Sequence, residues 1–236
     1  MATQVPLPLK LDPELSFDRY IPGPNLETIA LLRHLAGGHG PSPCYLHGLP
    51  GSGKSHLLHA VCEAAGKSAL VSMALTLPDL SEQDPSALED LGGLDVLCLD
   101  DVDEIAGKME WEKALFALFN ELQDQGAKLL VTAKRPPQQS PFTLPDLQSR
   151  LSSGLVIGLK PLSEEDCIVA LISKAQALGL ELNESVALFL IRRVNRDPGT
   201  LIKQLAILDH QSMAANRKLT IPFVRGILEG IKHDLP

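Results

Sequence analysis

The sequence lacks paired cysteines, long hydrophobic runs and an excess of positive charge. Its four cysteines, Cys44, Cys62, Cys98 and Cys167, form no C-x-x-C pair, which argues against a zinc ribbon or a thiol redox motif. No apolar run approaches the about 18 residues of a membrane-spanning helix. With 21 basic and 29 acidic side chains the formal net charge is −8, which argues against a protein whose whole surface binds DNA by neutralising phosphates and leaves only a local basic patch for such binding.

The N-terminus has no charged region followed by an apolar one, so it does not resemble a signal peptide. Isolated cysteines are typical of a reducing compartment, and we expect a cytoplasmic protein that makes no membrane contact. Hydrophobic residues make up 44% of the 236 residues, and the glycines and prolines follow no period, as in ordinary globular proteins. This length predicts one sizeable core with a small second module.

Three regions differ in their patterns. Residues 1–14 contain three prolines and no apolar periodicity, and they predict an extended tail. Residues 15–160 alternate continuous apolar runs with helical stretches, which indicates an α/β domain with a parallel sheet covered by helices on both faces. Residues 161–236 carry helical patterns alone and predict a small all-helical domain. The predicted strands lie at residues 44–47, 69–73, 96–99, 129–131 and 155–157.

Periodicity and capping residues predict the helices. Gly126 is placed to end one of them, and Ser163, Asn183, Asp197 and Thr220 are placed to begin four others. The predicted helices lie at residues 25–35, 57–65, 110–125, 163–178, 183–194, 197–216 and 220–231.

The strongest chemical signal is a complete G-x-x-x-x-G-K-S motif that runs from Gly48 to Ser55. Glycines in such a loop let backbone N–H groups turn towards phosphates, at a helix N-terminus that already favours anions. Lys54 is placed to reach the inner phosphates, and the Ser55 hydroxyl is placed to bind Mg²⁺. The predicted phosphate and nucleotide contacts are Pro50, Gly51, Ser52, Gly53, Lys54, Ser55 and His56.

A phosphate loop also needs a carboxylate that holds the metal and orients water. Asp100 and Asp101 follow a buried apolar run, at the strand end where open α/β sheets bind ligands. Asp100 is the predicted magnesium partner, and Asp101 is the predicted base or water-orienting group. The alternative is that these carboxylates, with Asp103 and Glu104, cap the next segment.

Two other groups of residues favour structural roles. His56 and His59 lie three residues apart after Ser55, but a metal site needs a third ligand that the sequence does not supply. Trp111, with the aromatic residues at positions 116 and 119, has the spacing of a helix face packed in the core, which we favour over a base-stacking platform.

The order of motifs resembles the AAA+ module of the bacterial initiator DnaA. The resemblance rests on the phosphate loop, Leu97–Asp101, the segment Leu129–Pro137 and the segment Leu147–Leu151. It implies a P-loop AAA+ fold with a helical lid, a sensor function for Thr132, nucleotide contacts from Tyr20 and Ile21, and an arginine finger at Arg150 that acts on a neighbour's nucleotide.

Within that family the chain is similar to the Hda group of regulators. Gln4-Val-Pro-Leu7-Pro8-Leu9 fits the Q-x-x-L-P-L peptide with which this group binds the DNA sliding clamp, through Gln4, Leu7, Pro8 and Leu9. The chain ends at Pro236, where DnaA continues into a DNA-binding domain, so we expect that domain to be absent. The resemblance implies DnaA and the clamp β subunit as partners, contact with DNA only through the clamp, nucleoid association, and inhibition of replication re-initiation.

Two departures from the DnaA pattern concern ATP hydrolysis. Lys134 stands where DnaA has an acidic residue in sensor 1, and Gly199 stands where a sensor 2 arginine falls, with Arg196 as a substitute candidate. We therefore expect weak or no autonomous ATPase activity, with ADP or ATP and Mg²⁺ as ligands. An autonomous AAA+ ATPase such as a replicative helicase loader stays the alternative, and a small-molecule phosphotransferase is disfavoured. A homo-oligomer is possible.

Overall fold

The computed structural model describes residues 15–89, 91, 93–193, 198–215 and 217–233. The chain divides into two compact units, one of Met1–Leu49 with Lys54–Lys160 and one of Pro50–Gly53 with Pro161–Pro236. The predicted clamp-binding residues of the tail, together with Arg196 and the predicted cap Asp197, lie outside the described residues.

A five-stranded parallel sheet in the order β2-β3-β4-β1-β5 forms the centre of the first unit. Leu46 of β1 lies opposite Thr132 of β4 on one side and Ile157 of β5 on the other. This arrangement confirms the parallel α/β sheet that the apolar runs predicted. The strands are β1 Cys44–His47, β2 Ser72–Thr76, β3 Val96–Asp100, β4 Lys128–Ala133 and β5 Leu155–Gly158.

Helices cover both faces of the sheet. On one face, side chains of α1 and α2, such as Leu32 and Leu57, pack against the strands in one apolar core. On the other face, Leu115 of α4 and Leu147 of α5 belong to a second core that includes the buried Trp111. Burial of these side chains supplies most of the favourable folding free energy. The helices of this unit are α1 Leu26–Ala36, α2 Lys54–Lys67, α3 Leu77–Leu80, α4 Met109–Gln125 and α5 Pro145–Ser153.

The second strand begins later than its apolar run predicted. The backbone N–H groups of Ser68 and Leu70 still bind carbonyls of the last turn of α2, and Ala69 has a φ of 60°. Pairing therefore starts only at Ser72, opposite Val96. The prediction of a strand at 69–73 was wrong because the turn that closes α2 takes its first residues.

The second unit contains helices and an apolar core of its own, formed by side chains such as Leu171, Leu190 and Leu205. Two predicted caps are confirmed: Ser163 Oγ accepts from the Asp166 N–H at 3.0 Å, and Asn183 Oδ1 accepts from the Val186 N–H at 2.9 Å. The helices are α6 Glu164–Ala177, α7 Glu184–Arg193, α8 Pro198–Ala215 and α9 Ile221–His233.

Across the described parts of both units, every helix is too short or too polar to cross a bilayer.

Candidate functional site

The glycine-rich segment joins the C-terminal end of β1 to the N-terminal end of α2. Gly51 and Gly53 have φ values of 74° and 91°, a left-handed conformation that glycine adopts without steric strain. The segment leads directly into Lys54, the first residue of a 14-residue helix. A helix N-terminus presents unpaired N–H groups and a positive partial charge, so this turn suits an anionic ligand.

Lys54 is a buried cation held by uncharged groups. Its side chain is buried, and its Nζ donates to the carbonyl oxygens of Gly48 and Leu49 at 3.0 and 3.3 Å. Carbonyl oxygens compensate a buried ammonium less than phosphate oxygens do. Ser55, the predicted magnesium ligand, follows Lys54 on the same helix and is exposed. The loop therefore fits a bound phosphate group.

The acidic pair lies at the C-terminal end of β3. Asp100 is buried and its carboxylate accepts a short hydrogen bond from the Thr132 hydroxyl, whose oxygen accepts from the Asp101 N–H at 2.9 Å. Burial and the neighbouring Asp100 raise the pKa of Asp101, and Lys54 opposes the shift. Asp101 makes no side-chain cap for the short helix that follows it. The capping alternative is therefore not supported for Asp101.

The strand order explains how Thr132 reaches both aspartates. β4 lies between β1 and β3, so its C-terminal end lies between the end of β1, where the glycine-rich segment starts, and the acidic pair. Two residues beyond Thr132, the Lys134 ammonium forms a short ion pair with Glu104, and this contact raises the pKa of Lys134. The Lys134 N–H also donates to Asp103 at 3.3 Å. The sensor-like strand end is thus tied to the loop that follows the acidic pair.

His56 holds the segment that carries Tyr20. Its Nε2 lies 2.8 Å from the carbonyl oxygen of Ser16, and its ring meets the Tyr20 ring edge-on at 5.3 Å. Burial raises the pKa of Tyr20 to about 12, so the phenol is neutral at physiological pH. The half-buried Ile21 follows. The structure therefore brings Tyr20, a predicted nucleotide contact, next to His56 at the start of α2.

His59 lies one turn further along α2 and is half-buried. Among the residues that the structure describes, no group of three histidine, cysteine or acidic side chains is arranged to hold a metal ion.

Arg150 lies on the exposed side of α5. Its guanidinium carbon lies 5.7 Å from the centre of the Phe119 ring, and Nη1 donates to Gln123 Oε1 at 3.3 Å. Both partners belong to α4. These contacts orient the guanidinium without neutralising its charge, which leaves it able to interact with an anionic group of another molecule.

Comparisons with known proteins place these features in a family. A family model of the Hda lid domain matches residues 164–228, and a model of the bacterial DnaA ATPase domain matches residues 80–160. Domain III of the replication initiation protein DnaA from Thermotoga maritima superimposes with a TM-score of 0.82 and 26% identity, over 94% of this chain and 98% of that chain. The chain is an Hda-like AAA+ protein of the DnaA family.

Two further solved structures share the fold of this Hda-like chain. AMPPCP-bound DnaA from Aquifex aeolicus has a TM-score of 0.70 and 21% identity, over 84% of this chain and 66% of that one. The RuvB Holliday junction branch migration motor of Thermotoga maritima has a TM-score of 0.71 and 18% identity, over 93% and 72% of the two chains. The P-loop AAA+ architecture expected from the sequence is confirmed.

Sequence reasoning on the Hda-like chain missed two buried polar residues that hold distant segments together. Asn25 is buried, and its side chain exchanges two hydrogen bonds of 2.9 Å with the backbone of Lys160, the last residue of the first unit. Glu112 is fully buried on α4 and binds four groups from two loops. The available signal for Glu112 was its position directly after the core residue Trp111.

Proposed function

We propose that the chain is a nucleotide-bound regulator that, tethered to the DNA sliding clamp, stimulates hydrolysis of DnaA-bound ATP and so restrains re-initiation of chromosomal replication. The observation that carries this proposal is the joint presence of a DnaA-type ATPase region and an Hda-type lid in one chain. An exposed arginine on the ATPase unit supplies the chemical group that such a function needs.

The proposed ligand is ADP or ATP with Mg²⁺. Lys54 and the N–H groups at the start of α2 would hold the phosphates, and Ser55 with Asp100 would hold the metal, which would offset the negative charge of the phosphates. Tyr20 and Ile21 would contact the base. The AMPPCP-bound DnaA structures support nucleotide as the ligand class for this fold.

We propose that the chain hydrolyses its own nucleotide poorly. The Lys134 ammonium is engaged by Glu104, and Gly199 has no side chain with which to reach a γ-phosphate. Arg150 would instead act in trans, as a finger that stabilises negative charge on the ATP held by DnaA. Arginine suits this task because its guanidinium stays charged and donates two parallel hydrogen bonds.

Binding to the sliding clamp would bring the chain close to DnaA. The peptide from Gln4 to Leu9 is stiffened by Pro6 and Pro8, so less ordering entropy is lost when it enters an apolar groove. A net charge of −8 gives no general attraction to DNA, and tethering through the clamp would replace it.

The test mixes DnaA carrying labelled ATP, clamp loaded on DNA, and this protein with ADP, and then follows formation of labelled ADP. We expect rapid hydrolysis in the full mixture and slow hydrolysis when either the clamp or the protein is omitted. Rapid ATP turnover by this protein alone, with no effect on DnaA, would contradict the proposal and favour the helicase-loader alternative.

A further inference from the structure

Glu112 is a fully buried carboxylate that serves as the common acceptor for two separate loops. Its Oε1 accepts from the N–H groups of Gly107 at 2.6 Å and Thr143 at 3.0 Å. Its Oε2 accepts from the Thr143 N–H and hydroxyl at 3.0 and 3.1 Å and from the Leu144 N–H at 2.6 Å. Both oxygens are therefore used by donors that face them.

The two loops that meet at Glu112 have different origins. Gly107 belongs to the turn between the acidic pair and α4, whereas Thr143 and Leu144 immediately precede α5. α5 has no side-chain cap of its own at Leu144, and Pro145 at its first position has no N–H to donate. The Glu112 carboxylate thus holds the N-terminal end of α5 in place of a local cap.

We propose that Glu112 is a positioning residue for Arg150. Arg150 lies five residues into α5, about 7.5 Å along the helix axis from its start, so a shift or rotation of the helix end displaces the guanidinium directly. Phe119 and Gln123 of α4 meet Arg150 at the far end of α5. Glu112 fixes the near end against the same helix, and the two attachments together set the position of the guanidinium.

The inference rests on the proposed role of Arg150 as a finger. The donors around Glu112 require a carboxylate, which makes the test by Glu112→Gln specific. A carboxamide at this position has the same size but only one acceptor oxygen. Its NH₂ group would face the N–H groups of Thr143 or Leu144, donor against donor. Glu112→Gln therefore releases the start of α5 without opening a cavity.

The experiment measures stimulated hydrolysis of DnaA-bound labelled ATP, on clamp-loaded DNA, by the full chain and its variants. We expect Glu112→Gln to lower the stimulated rate about 10- to 100-fold, the loss that follows a displacement of about 1 Å in a positioned group. Glu110→Gln is the matched control, because Glu110 lies on the same helix turn, is exposed and pairs only with Lys113 among the contacts described. It should act like the parent.

A double variant separates positioning from general destabilisation. If Glu112 acts through Arg150, then Glu112→Gln combined with Arg150→Ala should be no slower than Arg150→Ala alone. The shift in melting temperature produced by ADP, and binding to the clamp, should be unchanged in Glu112→Gln. Thr143→Val removes only the hydroxyl donor, so it should lower stimulation a few-fold, and it provides the test if Glu112→Gln does not fold.

Each failure has its own signature. Full stimulation by Glu112→Gln, or by Thr143→Val where Glu112→Gln does not fold, together with loss in Arg150→Ala, would overturn the positioning role and leave the proposed function standing. A double variant that stimulates hydrolysis more slowly than Arg150→Ala alone would also overturn the positioning role. So would loss of the ADP-induced shift in melting temperature in Glu112→Gln. Full stimulation by Arg150→Ala would instead contradict the finger assignment on which the positioning role rests, whereas absence of stimulation by the parent would contradict the proposed function.

Discussion

Asp101 has a left-handed backbone conformation, with φ 53° and ψ 54°, and directly follows Asp100, the last residue of β3. Asp and Asn tolerate this region better than other residues with a side chain, although they still lose some stability there. The Thr132 hydroxyl holds the conformation by accepting from the Asp101 N–H. Strained residues of this kind concentrate at functional sites, and this one turns its carboxylate next to Asp100.

Replacing Asp101 by asparagine should stabilise the nucleotide-free protein. The change keeps the tolerance for left-handed backbone and removes a half-buried charge beside Asp100. We expect a rise of at most about 2 °C in melting temperature at neutral pH, because solvent screens the charge of a half-buried carboxylate. Asp124→Asn, at an exposed site on α4, is the control and should leave the melting temperature unchanged.

We also expect the gain in melting temperature of Asp101→Asn to depend on pH. The pKa of Asp101 is raised in the folded protein, so the ionised carboxylate lowers the stability of the fold at neutral pH. Protonation of the carboxylate at lower pH removes this loss of stability. The gain in melting temperature of Asp101→Asn over the parent should therefore be largest near about pH 7 and shrink towards about pH 4. A gain that grows on acidification would show that the carboxylate is stabilised rather than penalised by folding.

Lys54→Ala should abolish nucleotide binding, because it removes the buried cation that faces the phosphate loop. One charged hydrogen bond contributes about 1.5–3 kcal/mol, so the loss of several should weaken ADP binding by more than about 100-fold. The measurement is the melting-temperature shift on addition of ADP with Mg²⁺, which should vanish. Lys67→Ala, at the exposed opposite end of α2, should keep the full shift. An ADP shift that persists in Lys54→Ala would contradict the phosphate-loop assignment.

Arg150→Ala should leave ADP binding and clamp binding intact and remove the stimulation of DnaA. Fingers supplied in trans accelerate hydrolysis by about 10³–10⁵-fold, so the stimulated rate should fall by at least about 1,000-fold. Arg150→Lys should fail as well, because an ammonium lacks the two parallel donors of a guanidinium. Equal stimulation by Arg150→Ala and the parent would show that another residue carries the mechanism.

At the scale of elements, local sequence patterns predicted those parts of the fold that depend on interactions between residues close together in the sequence. Continuous apolar runs marked the strands, of which β1, β3 and β4 are the buried ones. The cap of α4 is Gly126, with a φ of 74°, as its position after an amphipathic stretch predicted. The pairing order of the strands is different, because it depends on contacts between residues distant in sequence. Only the structure shows β4 between β1 and β3, and hence Thr132 between two parts of the site.

Glu112 and Asn25 show why the rest of the site was not predictable. A buried acid is recognisable only when its donors are known, and the donors to Glu112 come from residues up to 32 positions away. Asn25 was assigned to the start of α1, whereas its side chain binds the backbone of Lys160, 135 positions along the chain. Tertiary partners of this kind leave no periodic signal in the sequence.

The helix α8 carries a prediction on autonomous activity. It begins at Pro198, so Gly199 is its second residue and offers no side chain to a bound γ-phosphate. We expect single-turnover hydrolysis of ATP by the purified protein to be very slow. Gly199→Arg should accelerate it, because it places an arginine at the position that the resemblance assigns to sensor 2. Gly226→Arg, on α9, is a matched control for adding an arginine to a helix glycine. Fast hydrolysis by the parent would favour the helicase-loader alternative.

At the scale of the whole molecule, the proposed function assigns separate tasks to three parts of the chain: the unit with the sheet, the helical unit and the tail. The sheet and its two apolar cores hold Lys54 and the acidic pair in the first unit. The helical unit has its own apolar core and matches the Hda lid. The predicted tail needs no core, because a clamp groove would supply its apolar contacts. A defect in one task should therefore leave the other two measurable.

The tail provides the sharpest test of that separation. Replacing Gln4, Leu7 and Leu9 by alanine should abolish binding to the sliding clamp, because it removes the polar anchor and both apolar side chains of the Q-x-x-L-P-L peptide. The melting temperature and its shift with ADP should be unchanged, since the sequence predicts an extended tail rather than a core segment. A control variant with Thr3 and Lys10 replaced by alanine changes the same tail outside the peptide and should still be retained on immobilised clamp. Retention of the triple variant would place the clamp contact elsewhere on the chain, and a lowered melting temperature would show that the tail contributes to the fold.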